Sequence, residues 1–149
     1  MVIACAAFVG YAAVRDGMFP AFLGGSGLFG ILKGSEIIDL CEAHVLDGGT
    51  VSIRSERIRI SNIDAPEIFE PGCRREREIG LKAKERLGQL IASGSSQIER
   101  EGTDADGRTL AKVSTGGTDV GRVLLNEGLA LPRGATSDAR EAHLKHWCG

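Results

Sequence analysis

Apolar and polar residues alternate along 42–63, and the alternation breaks twice at short polar turns, so three strands are predicted over 42–46, 50–54 and 57–63. Asp47-Gly48-Gly49 forms the first turn and Ser55-Glu56 the second. In the third strand Ile58, Ile60 and Asn62 share one face, and Arg57, Arg59 and Ser61 the other, because successive side chains point to opposite sides. Pro66 lacks the amide that a ladder bond needs and ends this run. From Arg74 to Ser93 the apolar spacing becomes helical. Ile79, Ala83, Leu87, Leu90 and Ile91 form one stripe, with Arg75, Lys82, Glu85 and Arg86 largely elsewhere, and Gly94 stops the helix. Strands are predicted over 96–101 and 109–114, with the polar turn Gly102–Gly107 between them. Thr118 or Asp119 can cap a helix bearing Val120, Val123 and Leu124 that ends at Gly128. A last short helix is predicted over 137–146. Strands around one helix, with that helix inserted before the fourth strand, predict an α+β, mainly β, Greek-key barrel of five strands with about three helices.

The start of the chain differs. Residues 2–14, VIACAAFVGYAAV, are an unbroken apolar run of 13 residues followed by Arg15-Asp16. That is short for a spanning helix of ~20 residues and suits the core of a signal peptide. Residues 18–32 are apolar too, but Pro20 and four glycines argue against a membrane helix. Residues 15–40 read as a glycine-rich linker. The expected layout is therefore a signal- or anchor-like segment with linker over 1–40 and a folded domain over 41–149. It implies a protein that is exported, periplasmic or tethered to a membrane through residues 2–14; the competing reading is an N-terminal core segment.

Four cysteines allow three full pairings. Cys41, Cys73 and Cys148 fall outside the predicted elements and are disulfide candidates for an exported domain. Cys73 with Cys148 is favoured, since it would tie the loop after Glu67 to the chain end. His143 and His146 lack further ligands at zinc spacing, so a solvated helix face is the expected reading.

Net charge is −2, with 42% hydrophobic and 26% charged residues, which describes an ordinary globular protein with no overall basic field. A polyanion would need local cations. Residues 54–86 hold nine of the 18 Lys and Arg against seven Asp and Glu. Aromatics at 5% argue against a base-stacking platform. Within the basic region Asp64 and Glu67 flank Pro66, and Arg59 lies upstream on the alternating strand. A phosphodiester repels nucleophiles, so its hydrolysis needs a cation on the phosphate, a base for water and donors for developing charge. Asp64 offers a hard oxygen ligand, Glu67 a base, and Arg59 with Arg108 a bidentate clamp. The competing readings are an Asx turn at Asp64, a surface pair of Arg59 with Glu67, and a solvated Arg108.

Order and context add to this. VLDGGTV, IRISNIDAPE, the helix, TDADGRTLAKV and LLNEGLA resemble the staphylococcal nuclease (thermonuclease) family over residues 42–131, with a looser likeness around Trp147.

 The first block resembles the family's V-I-D-G-D-T, the second its R-x5-D-T/A-P-E and the third its D-R/K-Y-G-R, and together they imply an OB-fold barrel with calcium-dependent cleavage of DNA and RNA. By that resemblance Arg59 and Arg108 match the two phosphate-binding arginines and Glu67 the catalytic glutamate. Asp64 matches a calcium-ligating aspartate, Ala65 the position that gives a backbone carbonyl, and Asp47 an acid standing behind the ligands. Calcium is the expected cation, with magnesium or manganese as alternatives, DNA or RNA the expected partner, and a monomer the expected state. Two departures stand out. The family's second turn acid is Gly49 here, and its tyrosine before Gly107 is Asp106. Loss of a carboxylate weakens a hard-cation site, because affinity follows ligand charge and number. A nuclease weakened by that loss is expected; the alternative is an impaired module that only binds nucleic acid or a protein.

Overall fold

The computed structural model describes residues 36–38, 43–134 and 139–149, all of them within the unit Lys33–Gly149. The described strands are β1 (Glu36–Ile38), β2 (Ala43–Asp47), β3 (Thr50–Ile53), β4 (Glu56–Ile60), β5 (Ile63–Asp64), β6 (Ser96–Thr103), β7 (Thr109–Thr115), β8 (Thr118–Asp119) and β9 (Leu131–Pro132). The helices are α1 (Arg74–Ala92), α2 (Val120–Asn126) and α3 (Ala139–Cys148).

The main sheet runs β1-β6-β7-β4-β3-β2, with β8 added to β7 and a separate pair β5-β9. β2, β3 and β4 form an antiparallel meander, whereas β4 and β7 are parallel, Ile58 opposite Thr109. A parallel pair needs a long crossover, and α1 with β6 supplies it. The two ends of the sheet path, β1 and β2, are successive in the chain. Five strands of four or more residues (β2, β3, β4, β6, β7) thus carry the mixed, mainly β, OB-like barrel, and the short ones extend it.

Alternation puts Ile58 and Ile60 inside, and they join Val51, Leu87, Ile98, Val113 and Leu124 in the core. Each such side chain contributes roughly 1.5–3 kcal/mol on burial. Arg57 and Arg59 fall on the other face. The third strand is shorter than expected. It stops at Ile60, where Ser61 turns the chain and donates its amide to Ala111 at 2.9 Å, so Ile63–Asp64 pairs instead with Leu131–Pro132. Asn62 holds this corner, its Nδ2 donating to the Asp119 carboxylate at 3.2 Å while Asp119 caps α2.

Helix α1 begins on Cys73, whose sulfur accepts the Glu76 amide, and ends at Ser93. Its buried face is Glu76, Gly80, Ala83, Leu87 and Ile91. Ile79 and Leu90, expected in the stripe, are only half-buried, because the loops lean on Gly80 and Ala83 instead. A Cβ at Gly48 would stand 2.6 Å from that of Ala83, and one at Gly80 would stand 2.7 Å from the Pro66 carbonyl oxygen. These two glycines let the 47–50 turn and the 64–68 loop sit directly on the helix.

Other boundaries moved as well. β6 runs on to Thr103 through a register shift between Arg100 and Gly102, so the turn starts at Asp104. The turn before β4 is Arg54-Ser55, with Arg54 at φ 55° and Glu56 already in the strand. The last helix is Ala139–Cys148, and Cys148 therefore lies inside an element. β1 falls within the segment read as linker over 15–40. Residues 2–14 and Cys41 lie outside the described residues, among which no helix is long and apolar enough to cross a membrane.

Candidate functional site

Four elements meet at one cleft of about 270 Å³: the 47–50 turn, β4, the 63–67 segment and the start of β7, with α3 alongside. Asp47, Arg59, Asp64, Ala65, Glu67 and Arg108 all line it. The structure thus brings together the six residues expected for catalysis, cation and phosphate binding, across 62 positions from Asp47 to Arg108. Gly49 lines the cleft too.

Arg59 lies on the outward face of β4 and its Nη2 donates to Asp64 Oδ1. The competing reading of a surface pair between Arg59 and Glu67 gives way to this pair, which the turn at Ser61-Asn62 makes by returning Asp64 beside its own strand. The Arg59 Nε is shut from solvent and has no partner among the described residues, a donor that a bound anion or water would satisfy. Arg108 follows the Asp104–Gly107 turn, in which Gly107 takes φ 74°. Its Nε donates to Asp104 at 2.8 Å and its Nη2 to Asp106 at 2.7 Å. Burial would raise the Asp104 carboxyl, but the amide and guanidinium of Arg108 outweigh it and hold it below its ordinary range. Asp106, the departure from tyrosine, therefore pairs with the cation that would meet phosphate.

Glu67 turns back on its own loop. Its Oε1 accepts the amides of Ile68 at 2.9 Å and Phe69 at 3.1 Å. The loop is fixed from beneath by Glu76, which is 1% exposed. Glu76 Oε1 accepts the Glu67 amide at 3.2 Å and Oε2 the Gly72 amide at 2.6 Å. The sequence reading missed Glu76. Its one signal was an acid in the first turn of α1 at a position the apolar stripe should occupy.

Two further residues enter from α3, Arg140 and His143. His143 Nδ1 lies 4.0 Å from Asp64 Oδ2. Helix α3 is held by the Cys73–Cys148 disulfide, the pairing favoured from sequence, and by Trp147, which is buried. Leu144 packs onto Gly72, where a Cβ would meet its Cδ2 methyl.

The donors available to a cation are the carboxylates of Asp47 and Asp64 and the Ala65 carbonyl. As oxygens they suit calcium, magnesium or manganese in kind. Their number is short. Asp47 Oδ1 already accepts the Gly49 amide at 2.7 Å, and Asp64 holds Arg59. Among the described residues no three His, Cys, Asp or Glu side chains group as a metal site. At Gly49 a Cβ would find ordinary contacts, 3.5 Å from the Ala65 Cβ, and the backbone is outside the left-handed region. Conformation does not require glycine here.

The model of the staphylococcal nuclease homologues matches residues 57–147. This chain belongs to that family. The match begins after the 47–50 turn and covers Arg59, Asp64, Glu67, Arg108 and α3 as far as Trp147. The chain is also 33% identical, over 98 residues, to the succinoglycan biosynthesis protein ExoI of Rhizobium meliloti (strain 1021). That alignment takes in 62% of this chain and 51% of the relative, so the chain spans about half the relative's length.

Proposed function

We propose that this staphylococcal nuclease homologue hydrolyses phosphodiester bonds of DNA or RNA. The observation that carries the reading is that Arg59 and Glu67 from one stretch of the chain and Arg108 from another line one cleft with Asp64. Arg59 and Arg108 present planar guanidiniums to the non-bridging oxygens of the scissile phosphate, exchanging carboxylate partners for phosphate. Glu67 takes a proton from the attacking water as its oxygen bonds to phosphorus. The bond to the leaving oxygen breaks, and that oxygen takes a proton from solvent. The two arginines neutralise the charge that gathers on the phosphoryl oxygens in the transition state. A calcium, magnesium or manganese ion would be held by Asp64 and the Ala65 carbonyl with Asp47 behind, and would add positive charge to the phosphate.

A second reading is a module that binds nucleic acid or a partner without cleaving it. Gly49, which gives the cleft no carboxylate, and the engagement of Glu67 with two amides favour it. Plasmid nicking and oligonucleotide cleavage with calcium, magnesium, manganese or chelator decide between the two. Because the Rhizobium relative is named for succinoglycan biosynthesis, the same panel includes that polysaccharide. We further propose that the protein works as a monomer outside the cytoplasm, exported or tethered through residues 2–14. The Cys73–Cys148 bond supports this, since such bonds persist in oxidising compartments.

A further inference from the structure

Arg140 is the third arginine of the cleft, and its surroundings differ from those of the other two. Arg59 is bound to Asp64, and Arg108 has a carboxylate within 3 Å on each side, Asp104 at 2.8 Å and Asp106 at 2.7 Å. Arg140 donates from Nη2 to the Glu70 carbonyl at 3.2 Å, a neutral acceptor. Its carboxylate partner, Glu76 Oε1, forms a long ion pair at 3.8 Å from Nη1 and also accepts the Glu67 amide. The Arg140 side chain is 53% exposed, against 23% for Arg59 and 20% for Arg108. Its ion pair is therefore the longest of the three, and its guanidinium is the most open to an incoming anion.

The balance of the cleft makes this charge matter. Asp47, Asp64 and Glu67 place three carboxylates on its lining, and without Arg140 only Arg59 and Arg108 oppose them. A polyanion approaching such a surface would meet net repulsion. The position of Arg140 is also built rather than incidental. Arg140, Leu144 and Cys148 follow one another at helical spacing on α3; Leu144 packs on Gly72 and Cys148 is bonded to Cys73 at the head of α1. The guanidinium is thereby held beside the loop that carries Glu67.

We infer that Arg140 is a phosphate-binding residue for nucleic acid, holding a phosphate next to the one that lies between Arg59 and Arg108. The inference rests on the nuclease reading and extends it from one bond to a stretch of chain. It makes the protein prefer an oligonucleotide over a mononucleotide through a cation on α3.

The test uses the full chain, in chelator so that nothing is cleaved, with labelled oligothymidine and with thymidine monophosphate as probes over a salt series. Arg140→Gln removes the charge, and with it the long ion pair to Glu76, but keeps an amide donor for the Glu70 carbonyl. It is expected to weaken oligothymidine binding about tenfold, as for loss of one charged hydrogen bond. The slope of log affinity against log salt should fall by about 0.7, one phosphate contact on a single strand. Thymidine monophosphate binding should be unchanged, and Arg140→Lys should keep the wild-type slope. A folded Arg140→Gln protein with wild-type oligothymidine affinity and slope overturns the inference and leaves the nuclease reading standing. Equal weakening for both probes overturns it as well, since that is the mark of a general disturbance. Wild-type protein that binds neither probe overturns the inference, and the cleavage assay with divalent cations then decides the nuclease reading separately.

Discussion

The buried carboxylate of Glu76 and the backbone amide of Glu67 are joined at 3.2 Å, so an acid in helix α1 fixes the loop that presents the proposed base. The other oxygen of Glu76 holds Gly72 at 2.6 Å, and the two bonds clamp both ends of the 67–72 loop. Replacing Glu76 by Ala leaves two amides without an acceptor, at a cost of roughly 1–3 kcal/mol each if they stay buried. Glu76→Ala should melt lower and lose most of any nuclease activity, and Glu76→Gln, which keeps one acceptor, should lose less of both. Thermal melting beside the cleavage rate checks this; a Glu76→Ala protein equal to wild type in both would remove Glu76 from the account.

The disulfide has a separable effect. Cys73 both caps α1 and bonds Cys148 across 75 residues. Serine is itself a good cap. Cys73→Ser should therefore keep the helix start and lose only the staple, whose chain-entropy worth for a loop of that length is about 4 kcal/mol. Urea unfolding of this variant should match that of the wild type under reductant. A stability unchanged by either treatment would count against the bond.

Gly49 tests the metal cradle. Room beside Ala65 and an ordinary backbone let Gly49→Asp fold without strain. The variant should bind calcium on the order of tenfold more tightly, because a carboxylate is added to a hard-cation site. Without cation it gathers three acids and should melt somewhat below wild type; calcium should reverse that. Calorimetry and melting with and without calcium give the answer, and an unchanged affinity would show that the turn lacks something other than this ligand.

Much of this was legible in the chain. Period-two alternation around Ile58 and Ile60 and the helical stripe of Ala83 and Leu87 mark out the barrel and α1, because burial of those residues dominates their placement. The site was legible as far as its motifs reached, from Asp47 to Arg108. What could not be read was long-range. Asn62 and Asp119 bond across 57 positions to end β4 early, and the short β5-β9 pair depends on that corner. Arg140 and His143 reach the cleft only because Leu144, Trp147 and the disulfide seat α3, and no local pattern announces where a tail helix will dock.

Acid stability should depend on Glu56. Its hydrogen bond from Arg100 holds its carboxyl below the ordinary value of 4.5, against the opposing effect of burial, with Thr109 and the Arg100 charge assisting. A depressed carboxyl gives stability that is fully present above its unfolded pKa and is lost as pH falls through the folded one. Melting temperature should therefore fall with pH below about 4.5, and Glu56→Gln should flatten that limb while costing stability at neutral pH. Identical pH profiles for the two proteins would contradict this.

The central claim is hydrolysis by Arg59, Glu67 and Arg108 in one cleft, and the most direct measurement is the cleavage rate of a labelled single-stranded oligonucleotide by wild type and by Glu67→Gln, Arg59→Ala and Arg108→Ala. Each protein is assayed with calcium, with magnesium, with manganese and with chelator, and each is shown to be folded by melting. The account predicts cleavage by wild type that needs a divalent cation and falls about 100-fold or more in every variant. Folded wild-type protein that binds the oligonucleotide but cleaves it under none of these conditions, or a variant within threefold of wild type, would contradict it.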